Sequence, residues 1–166
     1  MKLEEFQLIN ENINLEEYIK YREIVKQNME HPEWLGDFSK EELDDMLINN
    51  TKIWMFYKEN NFVCSMMMIP STKKDLDSFG IKYNCTDVID YGPIFVMPEF
   101  IGNKLQFQML KMLDEYCFSL GYKYAVGTIH PDNIFSINNL IKDDFIKIGQ
   151  KELKRGLRNI YIKDLV

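Results

Sequence analysis

Tyr91-Gly92-Pro93-Ile94-Phe95-Val96-Met97-Pro98-Glu99-Phe100-Ile101-Gly102-Asn103 is the stretch that decides the fold. Its apolar run, Ile94-Phe95-Val96, reads as a strand that ends in the tight loop from Met97 to Asn103. An amphipathic pattern follows at once over Asn103 to Leu120, with Leu105, Met109, Met112, Leu113 and Tyr116 on one side and Gly121 as the stop. Strand, tight loop and helix in that order aim free backbone N–H groups and a positive helix end at an anion, commonly a phosphate. A phosphate-bearing cofactor is therefore the first ligand to look for.

Working outward, Tyr122 to Ile129 returns as a strand, and a strand–helix–strand connection of this length implies a parallel pair. Asn133 to Ile141 is a further helix, and strands at Phe145 to Gln150 and Asn159 to Leu165 follow. Upstream, Asp87 to Val96 reads as a strand interrupted at Gly92-Pro93, where proline cannot donate to a ladder and one side must be bulged or unpaired. Pro70 to Thr86 is polar and irregular, with one helical turn near Lys73 to Phe79. Lys52 to Lys58 and Phe62 to Ile69 form a hairpin through Glu59-Asn60-Asn61.

Towards the N-terminus, Asn14 with Glu17 opens a helix whose apolar face is Leu15, Tyr18, Ile19, Val25 and Met29, broken at His31-Pro32-Glu33-Trp34. Ser39 with Glu42 is a second capping box, opening a short helix through Leu43, Met46 and Leu47. Lys2 to Ile9 reads as the first strand. The order β-α-α-β-β-β-α-β-α-β-β describes an α/β chain, a central mixed sheet of about seven strands with helices on both faces. No repeat, low-complexity tract or linker divides it, so residues 1–166 read as one domain.

Composition bounds the function. The 46% hydrophobic content suits a globular core, and Phe62 to Ile69, the most apolar stretch, is too short to cross a bilayer. The N-terminus is acidic where a secretory signal would be basic and then apolar. Cys64, Cys85 and Cys117 share no spacing that suggests a disulfide framework or a zinc site, and His31 and His130 have no ligand spacing around them. The reading is a cytosolic, reduced protein with no metal site. A net charge of −6, from 20 basic and 26 acidic residues, argues against nucleic acid and is compatible with a cationic partner such as an amine.

The element order and the two strand–loop–helix junctions resemble the GNAT superfamily of acyl-CoA-dependent N-acetyltransferases. Val96-Met97-Pro98-Glu99-Phe100 matches that family's lead-in strand, and Gly102 falls where its pyrophosphate loop often carries glycine. At the second junction Asn133, Ser136 and Phe145 fall on family positions. The sequence departs from the family at Ile101 (Arg or Gln is usual), Lys104 (Gly), Gln106 (Gly or Ala), Leu140 (Tyr) and Asp144 (Gly). Glycine permits the closest approach of backbone N–H groups to a phosphate, and Lys104 could answer the phosphate as a point charge instead.

The resemblance implies acetyl-CoA as co-substrate. Phe95, Val96 and Met97 would then supply backbone groups for the pantetheine arm and thioester, and Gly102, Asn103, Lys104, Leu105 and Gln106, with Asn133 and Ser136, would hold the rest of the coenzyme. Amine acetylation needs a base for the amine and a polariser for the thioester oxygen, and a donor for the departing thiolate helps. Leu140 cannot donate a proton. The candidates are Tyr91 as acid, Asp90 as base and His130 near the strand end; packing, strand alternation and helix capping are the plain readings of the same residues. Asp90 and Tyr91 cannot both face the site unless the strand is bulged. Tyr18, Tyr21, Trp34 and Phe38 either line an acceptor pocket or fill the core.

The implied reaction is direct attack of a primary amine, on a small molecule or a peptide, upon acetyl-CoA in a ternary complex. The alternative is a catalytically reduced relative that binds acyl-CoA as a sensor or interaction module. Neither reading involves nucleic acid or a membrane, and both admit a homodimer.

Overall fold

A computed structural model describes residues 1–166. The strand β3 (Asn61–Pro70) explains the layering. Met66 and Met68 join the apolar cluster on one face of the sheet, while Met67 between them joins the cluster on the other. A strand apolar on both faces can be buried only if both are covered. Helices α4 (Leu105–Ser119) and α5 (Ile134–Lys142) cover the first face, with Met109, Leu110, Leu113, Ile137 and Leu140 in its cluster. Helices α1 (Leu15–Gln27) and α2 (Lys40–Ile48) bring Leu15, Tyr18, Val25 and Leu43 to the second.

The remaining strands are β1 (Gln7–Ile9), β2 (Lys52–Lys58), β4 (Val88–Tyr91), β5 (Phe95–Val96), β6 (Tyr124–Ile129), β7 (Ile146–Leu153) and β8 (Gly156–Asp164). They form an eight-stranded sheet in the order β1-β2-β3-β4-β6-β8-β7, with β5 beside β3. The pair β4 and β6 is parallel, as the strand–helix–strand spacing requires, and every other pair is antiparallel. The β2–β3 turn places Glu59 and Asn60 at φ of 50° and 66°, the left-handed pair that a two-residue hairpin of this twist demands.

The structure corrects the sequence reading at three places. The first strand is only Gln7–Ile9, because buried Leu3 turns aside and its N–H donates to Gln108 Oε1 at 2.8 Å. The polar span after Pro70 holds a full helix, α3 (Lys73–Phe79), closed by a Thr72–Asp75 capping box and by Gly80 at φ 74°. The expected strand Asp87 to Val96 is two strands. That split builds the site.

Candidate active site

Strand β3 runs unbroken past the split. Its Met68, Ile69 and Pro70 pair with Tyr91, Asp90 and Ile89 of β4, and its Cys64 and Ser65 pair with Val96 and Phe95 of β5. Between them the Gly92 N–H donates to the Met67 carbonyl at 2.9 Å. A β-carbon on Gly92 would come within 3.0 Å of Met67 and Ile69 side-chain atoms, so any other residue here would require those two side chains to shift. On its other side β4 pairs with β6 only over Val88–Asp90, opposite Tyr124–Val126. Beyond that point β6 continues through Gly127, Thr128 and Ile129 with β8 alone.

The gap between β5 and the end of β6 opens into a cavity of about 690 Å³ that reaches both faces of the sheet, from Leu110 and Leu140 on one side to Trp34 and Phe38 on the other. The Met97 N–H donates to Val63 at 2.8 Å. Hydrogen bonding alternates along an antiparallel pair, so the N–H and C=O of Val96 point away from β3 into the gap.

Helix α4 begins at this cavity, and its end is open. Helices α1, α2, α3 and α5 are each capped by a side chain, from Asn14, Ser39, Thr72 and Asn133, whereas α4 has no side-chain cap. Its first N–H groups therefore remain free for a ligand, where the helix dipole adds positive potential. Gly102 takes φ 95°, and Lys104, the residue before the helix, takes φ 58° with its side chain exposed. Lys104 thus adopts the left-handed conformation that glycine would supply, at a cost of about 1–2 kcal/mol.

Of the residues expected to face a cofactor, Phe95, Val96, Gly102, Lys104, Leu105, Gln106, Asn133 and Ser136 line the cavity. The Gln106 amide donates to Ser136 Oγ at 3.1 Å, tying the start of α4 to α5, and Asn133 Oδ1 caps α5 by accepting from the Ser136 N–H at 3.3 Å. Met97 and Asn103 lie off the cavity. Met97 is held in the core by its bond to Val63, and Asn103 braces the loop by donating its amide to the Phe100 carbonyl at 2.9 Å.

The proton-transfer candidates separate. Asp90 lines the cavity, its side chain makes no hydrogen bond within the protein, and burial together with Asp75 pushes its carboxyl up to about 8, against the pull of Arg155. Tyr91 borders the cavity too, but its side chain lies on the opposite face of the strand. Its hydroxyl donates to Asp114 Oδ1 at 2.6 Å beneath α4, and Asp114 is held by Lys163 at 2.6 Å, which also reaches Asp143 at 3.1 Å. Burial and Asp114 push the Tyr91 phenol far above its usual range. The bulge starts only after Tyr91, so regular alternation still governs both residues, and Tyr91 is corrected from proton donor to a member of a buried network.

His130 is also corrected. It lies outside the cavity lining, its Nδ1 accepts from the Asp132 N–H at 3.1 Å, and its ring stacks on Trp34 at 5.1 Å. Trp34 stacks in turn on His31 at 4.3 Å, and His31 and Trp34 form the wall of the cavity there. Phe38 lines the cavity as well, whereas Tyr18 is fully buried and Tyr21 stacks on Phe62 at 4.3 Å.

No family model matches this sequence, and no curated protein matches it. Solved structures do match its shape. An N-acetyltransferase from Staphylococcus aureus Mu50 superposes with a TM-score of 0.70 over 96% of this chain and 99% of its own, at 16% identity. An acetyltransferase of the GNAT family from Streptococcus pneumoniae gives 0.69 over 96% and 100%, at 13% identity. The ribosomal-protein-S18-alanine N-acetyltransferase from Escherichia coli gives 0.69 over 96% and 94%, at 10% identity. The fold is that of the GNAT acetyltransferases.

Within the GNAT fold the departures from the family pattern acquire positions. Lys104 takes, at φ 58°, a left-handed shape that glycine adopts freely. Leu140, where tyrosine is usual, is buried against Gly127 at the cavity wall. Among the lining residues that the sequence did not point to are two charged ones, Arg155 and Arg158 of the β7–β8 hairpin. The available signal was compositional: two of the chain's three arginines sit within four residues of each other at a turn. No group of three or more His, Cys, Asp or Glu side chains is placed to hold a metal, and no helix is long and apolar enough to cross a membrane.

Proposed function

We propose that this chain is an acyl-CoA-dependent N-acetyltransferase that acts on a primary amine. The observation that carries the reading is the conjunction at one cavity of an uncapped helix end, free backbone groups on β5 and an unpaired carboxyl, Asp90. These features fit coenzyme A: the N-terminus of α4 with Lys104 would take its phosphates, and the Val96 backbone would meet its amide-bearing arm. Bound acetyl-CoA would supply an activated acyl carbon as a thioester.

The protein's own residues supply the rest. Asp90 accepts the amine proton, directly or through water, and its raised pKa brings it near the range where a base works at neutral pH. The Val96 N–H is oriented to donate to an oxygen in the gap, which favours developing negative charge there. Leu110, Leu140 and the flanking apolar walls exclude water. No tyrosine hydroxyl is placed to protonate a departing thiolate, since Leu140 has none and Tyr91 is committed to Asp114. The free cysteines Cys64, Cys85 and Cys117 fit a reducing, cytosolic setting.

That missing donor also supports a second reading, an acyl-CoA-binding protein with reduced catalysis. One pair of measurements separates them. Coenzyme A should raise the melting temperature under both readings, since binding to the folded state stabilises it. Thiol release from acetyl-CoA with a panel of amines should occur only under the first. Absence of any coenzyme A-dependent shift would reject both.

A further inference from the structure

Seven of the chain's 20 lysines and arginines are ion-paired, among them Lys26 with Asp37, Arg22 with Glu23, and Lys163 with Asp114 and Asp143. Arg155 and Arg158 have no carboxylate within 4.0 Å although both line the cavity, on the side opposite α4. Arg158 is buried and fixed by donating to the carbonyls of Leu157 at 2.8 Å and Glu33 at 3.2 Å. Arg155 lies over the Phe38 ring, its Cζ 3.8 Å from the ring centre, a separation that suits face-on stacking. A β-carbon on Gly36 would collide with its terminal nitrogen, so the guanidinium occupies the space that glycine leaves.

A guanidinium stacked by its face keeps its N–H edge free, and that edge matches a carboxylate with two parallel hydrogen bonds. The neighbouring walls are apolar: Trp34, Leu35 and Phe38. Asp90 opens on the same cavity, and the only other carboxylate lining it, Glu30, is exposed at the rim.

Resting on the acetyltransferase reading, we propose that the acceptor is an amine that also carries a carboxylate and an apolar side chain, a molecule of the hydrophobic amino acid class, with Arg155 binding the carboxylate while the amine faces Asp90. The overall charge of −6 points towards cationic acceptors, but the local charge at this end of the cavity points to an anionic group, and contact distance outweighs the screened field of the whole molecule.

The test compares two probes that differ only in the carboxylate, N-acetyl-L-phenylalanine and N-acetylphenethylamine, bound calorimetrically to the coenzyme A-loaded protein. Wild type should prefer the carboxylate by about tenfold or more, the scale of hydrogen bonds to a charged group. Arg155→Gln should bring the ratio close to one, and so should Gly36→Ala, which displaces the guanidinium and leaves its charge in place. Equal affinities in wild type, binding of neither probe, or a preference that survives Arg155→Gln would overturn the proposal; that last comparison stands even if Gly36→Ala fails to fold. Failure of coenzyme A to bind at all would instead count against the acetyltransferase reading, and a carboxylate preference measured without coenzyme A would then still support the arginine site.

Discussion

Leu140 packs directly on Gly127: its Cδ1 lies 3.3 Å from where a β-carbon on that glycine would stand. Gly127 sits on the stretch of β6 that has left β4, so a side chain at position 140 has a bare strand beside it and the cavity beyond. Leu140→Tyr should carry a hydroxyl along that strand towards the gap. If thiolate departure limits turnover, single-turnover rates with a reactive amine should rise by up to about 10²–10⁴-fold, with coenzyme A affinity little changed. An unaltered rate in a folded variant would mean that protonation of the thiolate is not limiting.

Asp90 gives a pH signature. Its carboxyl is held near 8, so turnover should climb with pH through that value as the base form accumulates, and Asp90→Asn should lower turnover and flatten the climb. Stability should move oppositely. The folded state keeps a proton that the unfolded chain releases near 3.8, so Asp90 contributes stability below that value that is lost as pH rises to about 8. Denaturant titrations across this range should show the loss in wild type and not in Asp90→Asn; parallel curves for the two would remove Asp90 as a buried titrating group.

Tyr91→Phe should act on stability rather than chemistry. It removes the donor to Asp114 and leaves a buried carboxylate one partner short, a loss of about 1–3 kcal/mol. The melting temperature should fall, while turnover per folded molecule stays near wild type. A large fall in turnover at an unchanged melting temperature would return Tyr91 to the reaction.

Lys104→Gly should relieve the left-handed backbone strain, offset by the greater freedom of glycine in the unfolded chain, leaving net stability within about 1 kcal/mol of wild type. The loop shape should survive and the ammonium should not. Coenzyme A should bind more weakly and with less dependence on salt, as calorimetry at two ionic strengths would register. Tighter binding would mean instead that the lysine side chain obstructs the phosphates.

The fold was legible because its signals are local. Asn14, Ser39 and Asn133 cap helices as their spacing suggests, and the Gly92-Pro93 interruption marks the break between β4 and β5. The uncapped start of α4 at the cavity was legible for the same reason, since one loop and one helix start build it. Tyr91 is adjacent in sequence to the Gly92-Pro93 break, but strand alternation holds through it and turns its side chain away from that of Asp90. Composition marks Arg155 and Arg158 as a pair but does not place them at the site, because they act across distance in sequence: Arg158 reaches the carbonyl of Glu33, 125 residues away. No local pattern announces that a hairpin tip will meet the loop between α1 and α2.

The gap between β5 and β6 has lips that are each zipped to a different neighbour, β5 to β3 and β6 to β8. Closing it would require one lip to abandon a ladder it already has, so the slot stands ready-made before any ligand arrives. A visitor then loses its own freedom on entry, but little backbone has to be ordered to receive it. Association at such a slot is set by diffusion and orientation rather than by a slow rearrangement of the host.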